Sequence, residues 1–167
     1  MSTNDTPERT GHWATAIRPL AAGDVPSIRT VIDATGLFPG EMLDDMAAAF
    51  LNGRGGDDHW LTVDTGTPVA VAYFTTERMT QGTWNLLLIA VHPEVQSQGC
   101  GAALMRHIER LLAARGERVL LVETSGLPEF ARTRAFYGRD GYDEEARIRD
   151  FYRAGEDKVI FRKALTA

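Results

Sequence analysis

The chain has one cysteine, Cys100, so no internal disulfide framework can form, and a reducing cytoplasm is the compartment this composition suits. No apolar run approaches the roughly 18 residues that mark a membrane-spanning helix. The opening residues also lack a signal-peptide pattern. Basic residues are the minority: 18 Lys and Arg against 23 Asp and Glu give a formal net charge of −5. That balance argues against broad binding to a nucleic-acid backbone. It is compatible with a cationic substrate, although acidic surfaces also serve solubility. The four histidines, His12, His59, His92 and His107, show no metal-ligand spacing, so no metal is expected. No internal repeat is visible. What the chain does have is ordinary for a single globular domain: 167 residues, 44% hydrophobic and 25% charged, enough for a proper core.

Taken in order, residues 1–13 are polar and proline-containing and read as a loose tail, with one domain expected over 14–167. Ala14 to Arg18 reads as a first strand. Asp24 followed by Pro26 marks a helix start, and Val25, Ile28, Val31 and Ile32 form its apolar face up to Gly36. A second helix starts at Pro39-Gly40-Glu41 and stops at the glycines after Leu51. His59 to Val63 and Val69 to Thr75 read as strands joined by a turn through Gly66 and Pro68. Later come a strand from Val119 to Val122, a helix opened by Pro128, and two final strands near Tyr142 to Phe151 and Lys158 to Arg162. Arg147 to Tyr152 alternates polar and apolar, as an exposed strand should.

The chain is organised around the stretch from Asn85 to Arg115. Leu86 to Val91 is an apolar run of strand length, read as fully buried, and His92-Pro93 ends it. Gln96-Ser97-Gln98-Gly99-Cys100-Gly101 follows, and then an apolar stripe at helical spacing through Ala103, Leu104, Ile108 and Leu112. Free N–H groups at a helix start, with glycines that let a ligand approach, make an anion site. A Walker loop is excluded, because Ala102 stands where its lysine belongs. A dinucleotide fingerprint lacks its third glycine, with Leu104 in that place.

The pattern Gln/Arg-x-x-Gly-x-Gly/Ala, here Gln96 to Gly101 after Ile89-Ala90-Val91-His92-Pro93, resembles the acyl-CoA pyrophosphate loop of the GNAT superfamily of N-acetyltransferases. Ala135-Phe136-Tyr137 with Gly141-Tyr142 resembles the second signature of that family. The resemblance covers roughly Ala16 to Leu165. It implies an α/β (α+β) fold: one GNAT-like domain with a mixed, mostly antiparallel sheet of about seven strands and helices on both faces, in the order β-α-α-β-β-β-α-β-α-β-β.

The resemblance further implies acetyl-CoA as acyl-donor cosubstrate and an amine acceptor as partner, with no metal, no nucleic acid and no membrane; a homodimer stays open. It places the cofactor against Ile89, Ala90 and Val91, against the loop Gln96, Ser97, Gln98, Gly99, Cys100, Gly101 and Ala102, and along the helix of Arg134 and Tyr137. It makes Tyr137 the proton donor to the departing thiolate. The plainer reading of Tyr137 and Phe136 is a pair of core aromatics. Glu123, at the carboxyl end of its strand, is the candidate general base; otherwise it is a carboxylate paired with Arg132 or Arg134. Glu77 is a second candidate base, and Asn85 is a buried-strand polar residue that must find a partner. Many family members carry an asparagine before the second signature. Residues 127–131 have none, and Ser125 or Arg134 would have to substitute. Cys100 reads as a small packing residue rather than a reactive thiol, though helix starts favour thiolates. Acidic Glu41, Asp44 and Asp45 hint at a cationic acceptor. The alternative function is a non-catalytic acyl-CoA-binding or regulatory domain.

Overall fold

The computed structural model describes residues 12–166. Seven strands form one mixed sheet in the order β1-β2-β3-β4-β5-β7-β6. They are β1 (Ile17–Pro19), β2 (His59–Asp64), β3 (Pro68–Thr76), β4 (Thr83–Val91), β5 (Val119–Ser125), β6 (Asp143–Arg153) and β7 (Glu156–Ala164). The helices are α1 (Val25–Thr35), α2 (Leu43–Leu51), α3 (Cys100–Ala114) and α4 (Ala131–Arg139). The β-α-α-β-β-β-α-β-α-β-β order expected from the sequence is the order observed. Most pairings are antiparallel; β4 and β5 run parallel, with rungs from Thr83–Val119 to Leu86–Val122.

The chain packs as two compact units, one holding residues up to Thr75 together with Leu88–Ile108, the other holding Thr76–Leu87 and the residues from Glu109 on. In the first, α1 turns Ile28, Val31 and Ile32 inward, all at most 1% exposed, onto Trp60 and Leu88. Pro26 in its first turn and Gly36, left-handed at a φ of 67°, delimit the helix as sequence punctuation requires. Asp24 does not cap α1 with its side chain. Its carboxylate instead accepts the Ala21 N–H at 2.8 Å and both guanidinium arms of Arg18, at 2.7 and 2.8 Å. In the second unit, Leu120 and Val122 of β5 are buried, as are Val159 and Phe161 of β7. Burying each such side chain contributes about 1.5–3 kcal/mol. No helix among the described residues is long and apolar enough to cross a membrane.

Two sequence expectations need correction, for Leu87 and Trp13, and a third, for β6, holds. Leu86 to Val91 is not buried throughout: Leu87, one residue past the last rung to β5, is 49% exposed. β6 is exposed, as expected from the alternation over Arg147 to Tyr152. All eleven of its residues are exposed, Ile148, Phe151 and Tyr152 among them, because it is the end strand and its ladder to β7 is broken by two register shifts. The loose tail expected over 1–13 falls mostly outside the described residues, but its last member, Trp13, is buried at 7% exposure.

Candidate functional site

The glycine loop belongs to the first unit. After β4, a 3₁₀ turn over Pro93–Val95 hands the chain to residues 96–99, which are exposed, and then α3 begins at Cys100. Two residues of the loop adopt left-handed backbone: Ser97 with a φ of 62° and Gly99 with a φ of 87°. The second suits glycine, and the first is a conformation that an L side chain seldom takes. A Cβ built on Gly99 would meet nothing within 4 Å, so space for a ligand lies directly beside the backbone. The bond from the Ala103 N–H to the Gly99 carbonyl, 2.9 Å, belongs to the first turn of α3. The N–H groups of Cys100, Gly101 and Ala102 therefore stand ahead of the helical ladder, at the positive end of the helix dipole. Such an arrangement fits a pyrophosphate.

Side chains brace this loop. Gln96 Nε2 donates to the Val91 carbonyl at 2.9 Å, and Gln98 Nε2 donates to the Glu94 carbonyl at 3.0 Å. The Trp13 indole Nε1–H donates to the Gln98 carbonyl at 2.9 Å. Of the strand residues expected to meet the cofactor, Ala90 is buried and Ile89 and Val91 are half-buried. Cys100 is 1% exposed, and burial pushes its thiol up to about 11. It is a packing residue held as the neutral thiol, and burial outweighs the helix-terminus effect.

The candidate acid and base belong to the second unit. Asn85, 4% exposed on β4, donates its amide Nδ2 to two carboxylates: Glu123 Oε1 at 3.0 Å and Glu77 Oε2 at 3.2 Å. One amide thus ties together both carboxylates that the sequence offered as bases. Glu123 Oε2 is held by Lys158 Nζ at 2.6 Å, and that ammonium also lies 3.7 Å from the centre of the Phe151 ring. Lys158, which the sequence reading did not name, is therefore an ion-pair partner of Glu123. Arg134 Nη1 donates to the carbonyls of Ser125 and Leu127 at 2.7 and 2.9 Å. Ser125 Oγ accepts the Leu127 N–H at 3.2 Å. Both residues considered as stand-ins for the missing asparagine are thus used to shape the turn between β5 and α4.

Tyr137 is 2% exposed, and its ring packs edge-on to Tyr142 at 5.7 Å and tilted to Phe161 at 5.5 Å. Phe161 is paired across the ladder with Val122, the neighbour of Glu123. Burial, then Asp140, hold the Tyr137 phenol far above its ordinary range, so it stays protonated. Its hydroxyl has no hydrogen-bond partner among the described residues. Tyr142 differs: its hydroxyl donates to Glu109 Oε1 at 2.8 Å, while Lys163 Nζ holds Glu109 Oε2 at 2.9 Å. Of the two tyrosines in the second signature, one is committed to structure and one is not.

Sequence reasoning missed two participants. Lys158 sits in an exposed-looking hairpin sequence, and only the β5–β7 register, Ser125 opposite Lys158, brings it to Glu123. Trp13 lay in the presumed tail; a lone tryptophan in a polar stretch was the available signal. Among the described residues, no group of three or more His, Cys, Asp or Glu side chains is placed to hold a metal ion.

The sequence matches the family model for an acetyltransferase (GNAT) domain over residues 55–144. No functionally curated protein matches it. Among solved structures, a protein from Desulfovibrio desulfuricans assigned to the GNAT acetyltransferases is 31% identical, with a TM-score of 0.84 over 90% of this chain and 99% of that one. The ribosomal-protein-S18-alanine N-acetyltransferase of Escherichia coli shares the fold at 24% identity, with a TM-score of 0.71 over 90% of this chain and 94% of that one. So does an aminoglycoside 6'-N-acetyltransferase complexed with coenzyme A, at 14% identity and a TM-score of 0.72, over 90% of this chain and 97% of that one. The matched model spans more than half of the chain, including the glycine loop, Asn85, Glu123 and Tyr137, and the chain belongs to the GNAT family of acetyltransferases.

Proposed function

We propose that this chain, through residues 14–167, transfers an acetyl group from acetyl-CoA to a primary amine of a small molecule or protein, by direct attack in a ternary complex. The observation that carries the reading is the loop of residues 96–101: left-handed at Gly99, open beside it, and followed by the N–H groups at the start of α3. These groups would hold the pyrophosphate of the cosubstrate. The backbone of Ile89–Val91, past the last rung to β5, would pair with the pantetheine amides as an added strand does.

Acetyl-CoA supplies the activated acetyl thioester; the rest is asked of the protein. An alkylamine with a pKa near ~10 is only about one part in a thousand neutral at pH 7, a deficit of roughly 4 kcal/mol. Glu123 is the group proposed to take the amine proton. Asn85 and Lys158 hold one oxygen each and fix the carboxylate's direction. A backbone N–H from Ile89–Val91 would meet the thioester oxygen as it gains charge. Tyr137 would protonate the departing sulfur. A phenol kept protonated by burial, with no hydrogen-bond partner among the described residues to satisfy first, suits a donor. The single cysteine suits a reducing compartment, and the cytoplasm is the proposed site of action.

The test is a calorimetric titration with acetyl-CoA, free CoA and ATP, followed by thiol release over a panel of amines. Micromolar acetyl-CoA binding with no ATP signal, and turnover with at least one amine, is expected. Failure to bind acetyl-CoA would overturn the reading. Binding without turnover on any amine would leave a binding domain in place of an enzyme.

A further inference from the structure

We infer that Trp13 is a positioning residue for the cofactor loop, setting the direction of the Gly99 N–H through a single hydrogen bond. The inference rests on the assignment of residues 96–101 as the pyrophosphate loop. Residues 96–99 are exposed, and two of them sit in left-handed backbone, so local sequence preference does not by itself settle their shape. The loop is held by contacts from outside it. Two of these are short-range: Gln96 to the Val91 carbonyl and Gln98 to the Glu94 carbonyl. The third spans 85 residues, from the Trp13 indole to the Gln98 carbonyl at 2.9 Å.

The third contact matters most for chemistry because of which carbonyl it takes. The Gln98 carbonyl and the Gly99 N–H belong to one peptide unit, and that unit is trans. A trans peptide is planar with its C=O and N–H on opposite sides. Pinning the carbonyl toward the indole therefore points the Gly99 N–H the other way. Beside Gly99 there is open space, with nothing within 4 Å of a Cβ built there. Trp13 is 7% exposed, so the ring is anchored and its donor does not swing with solvent. Without that bond the peptide is free to rotate, because glycine at 99 tolerates many conformations. The N–H is then aimed only part of the time, and binding must order it first.

The test is Trp13→Phe, which keeps an aromatic ring in the packing and removes the indole donor. Two probes separate the loop from the rest of the cofactor: CoA itself, and acetyl-pantetheine, which lacks the pyrophosphate. One hydrogen bond of ordinary strength corresponds to about a fivefold change in affinity. The variant is expected to weaken CoA binding and raise the KM for acetyl-CoA by about that factor. Its kcat at saturation, its KM for the amine and its affinity for acetyl-pantetheine should stay unchanged. Equal weakening of both probes, or no weakening of CoA, overturns the inference while leaving the cofactor assignment intact. Absence of acetyl-CoA binding by the unsubstituted protein overturns the assignment and this inference together. A second measurement needs no substitution. The Trp13 indole N–H resonance should shift on adding CoA and stay in place on adding acetyl-pantetheine; insensitivity to CoA also overturns the inference.

Discussion

Two tyrosines 5.7 Å apart should answer to substitution in opposite ways. Tyr142→Phe deletes a hydroxyl that donates to the Glu109 carboxylate at 2.8 Å. A hydrogen bond to a charged group contributes about 1.5–3 kcal/mol. Lys163 still holds the other oxygen of Glu109, so the loss should fall in the lower part of that range, about 1.5–2 kcal/mol. For a chain of this size that is a fall in Tm of roughly 3–8 °C. Turnover should change little. Tyr137→Phe deletes a hydroxyl with no hydrogen-bond partner among the described residues, so stability should move by less than about 0.5 kcal/mol. If that hydroxyl protonates the leaving thiolate, kcat should fall by about 10²- to 10⁴-fold, with acetyl-CoA affinity nearly unchanged. Thermal denaturation, calorimetric titration and a thiol-release assay on both variants measure every arm. A Tyr137→Phe enzyme with normal kcat, or one that loses affinity and turnover in equal measure, would refute the proton-donor role. A kcat collapse in Tyr142→Phe at full stability would show that the roles were assigned to the wrong tyrosine.

Three further outcomes follow from the geometry. Asp24 is held below the usual carboxylate range by the Arg18 guanidinium, against the opposing pull of burial and with the Ala21 N–H adding to Arg18. A depressed folded value gives stability that is present above the unfolded value near ~4 and is lost as pH falls through the folded value. Asp24→Asn should therefore cost about 1–2 kcal/mol at pH 7, with the deficit narrowing below roughly pH 4 in denaturant titrations; a pH-independent deficit would contradict the ion pair. Cys100, with its thiol pushed up to about 11, should resist disulfide reagents at pH 8 in the native protein and react once it is unfolded. Rapid native labelling would show that the thiol is not buried. Gly99→Ala meets no clash but must hold a φ of 87°, a strain of about 1–2 kcal/mol. Acetyl-CoA affinity should drop at least about tenfold in calorimetry while the fold persists, and unchanged affinity would remove the loop assignment.

Much of this was legible in the sequence. The order of elements followed from periodicity and punctuation: Pro26 and Gly36 around α1, the apolar run into His92-Pro93, the stripe along α3. The glycine loop was legible because its chemistry is local, six consecutive residues between a strand and a helix. The pairing of Glu123 with Lys158 was not. An arginine on the next helix was the near choice in sequence, but the register of β7 against β5 brings Lys158 there, and no pattern in either strand specifies that register. Asn85 was recognisable as a polar residue needing a partner, yet its joining of Glu77 to Glu123 depends on residues 8 and 38 positions away. Leu87 was misjudged because apolar identity reports what a side chain prefers, not whether its strand is covered at that point. Trp13 was misjudged for the reverse reason, since its neighbours are polar and its burial comes from distant chain.

The bond between Trp13 and the Gln98 carbonyl also bears on how binding competence is acquired in time. Closing an 85-residue span costs about 4 kcal/mol of chain entropy beyond a constant, so this contact cannot form early by local collapse. Contacts of such separation form slowly, after nearby turns and helices are in place. During refolding, secondary structure should therefore recover before cofactor affinity does. In the native state, fraying of a few residues around Trp13 would weaken cofactor binding by about the same fivefold, at a free-energy cost well below that of global unfolding. Loss of affinity would then be the first sign of damage to this protein, ahead of any change in its melting curve.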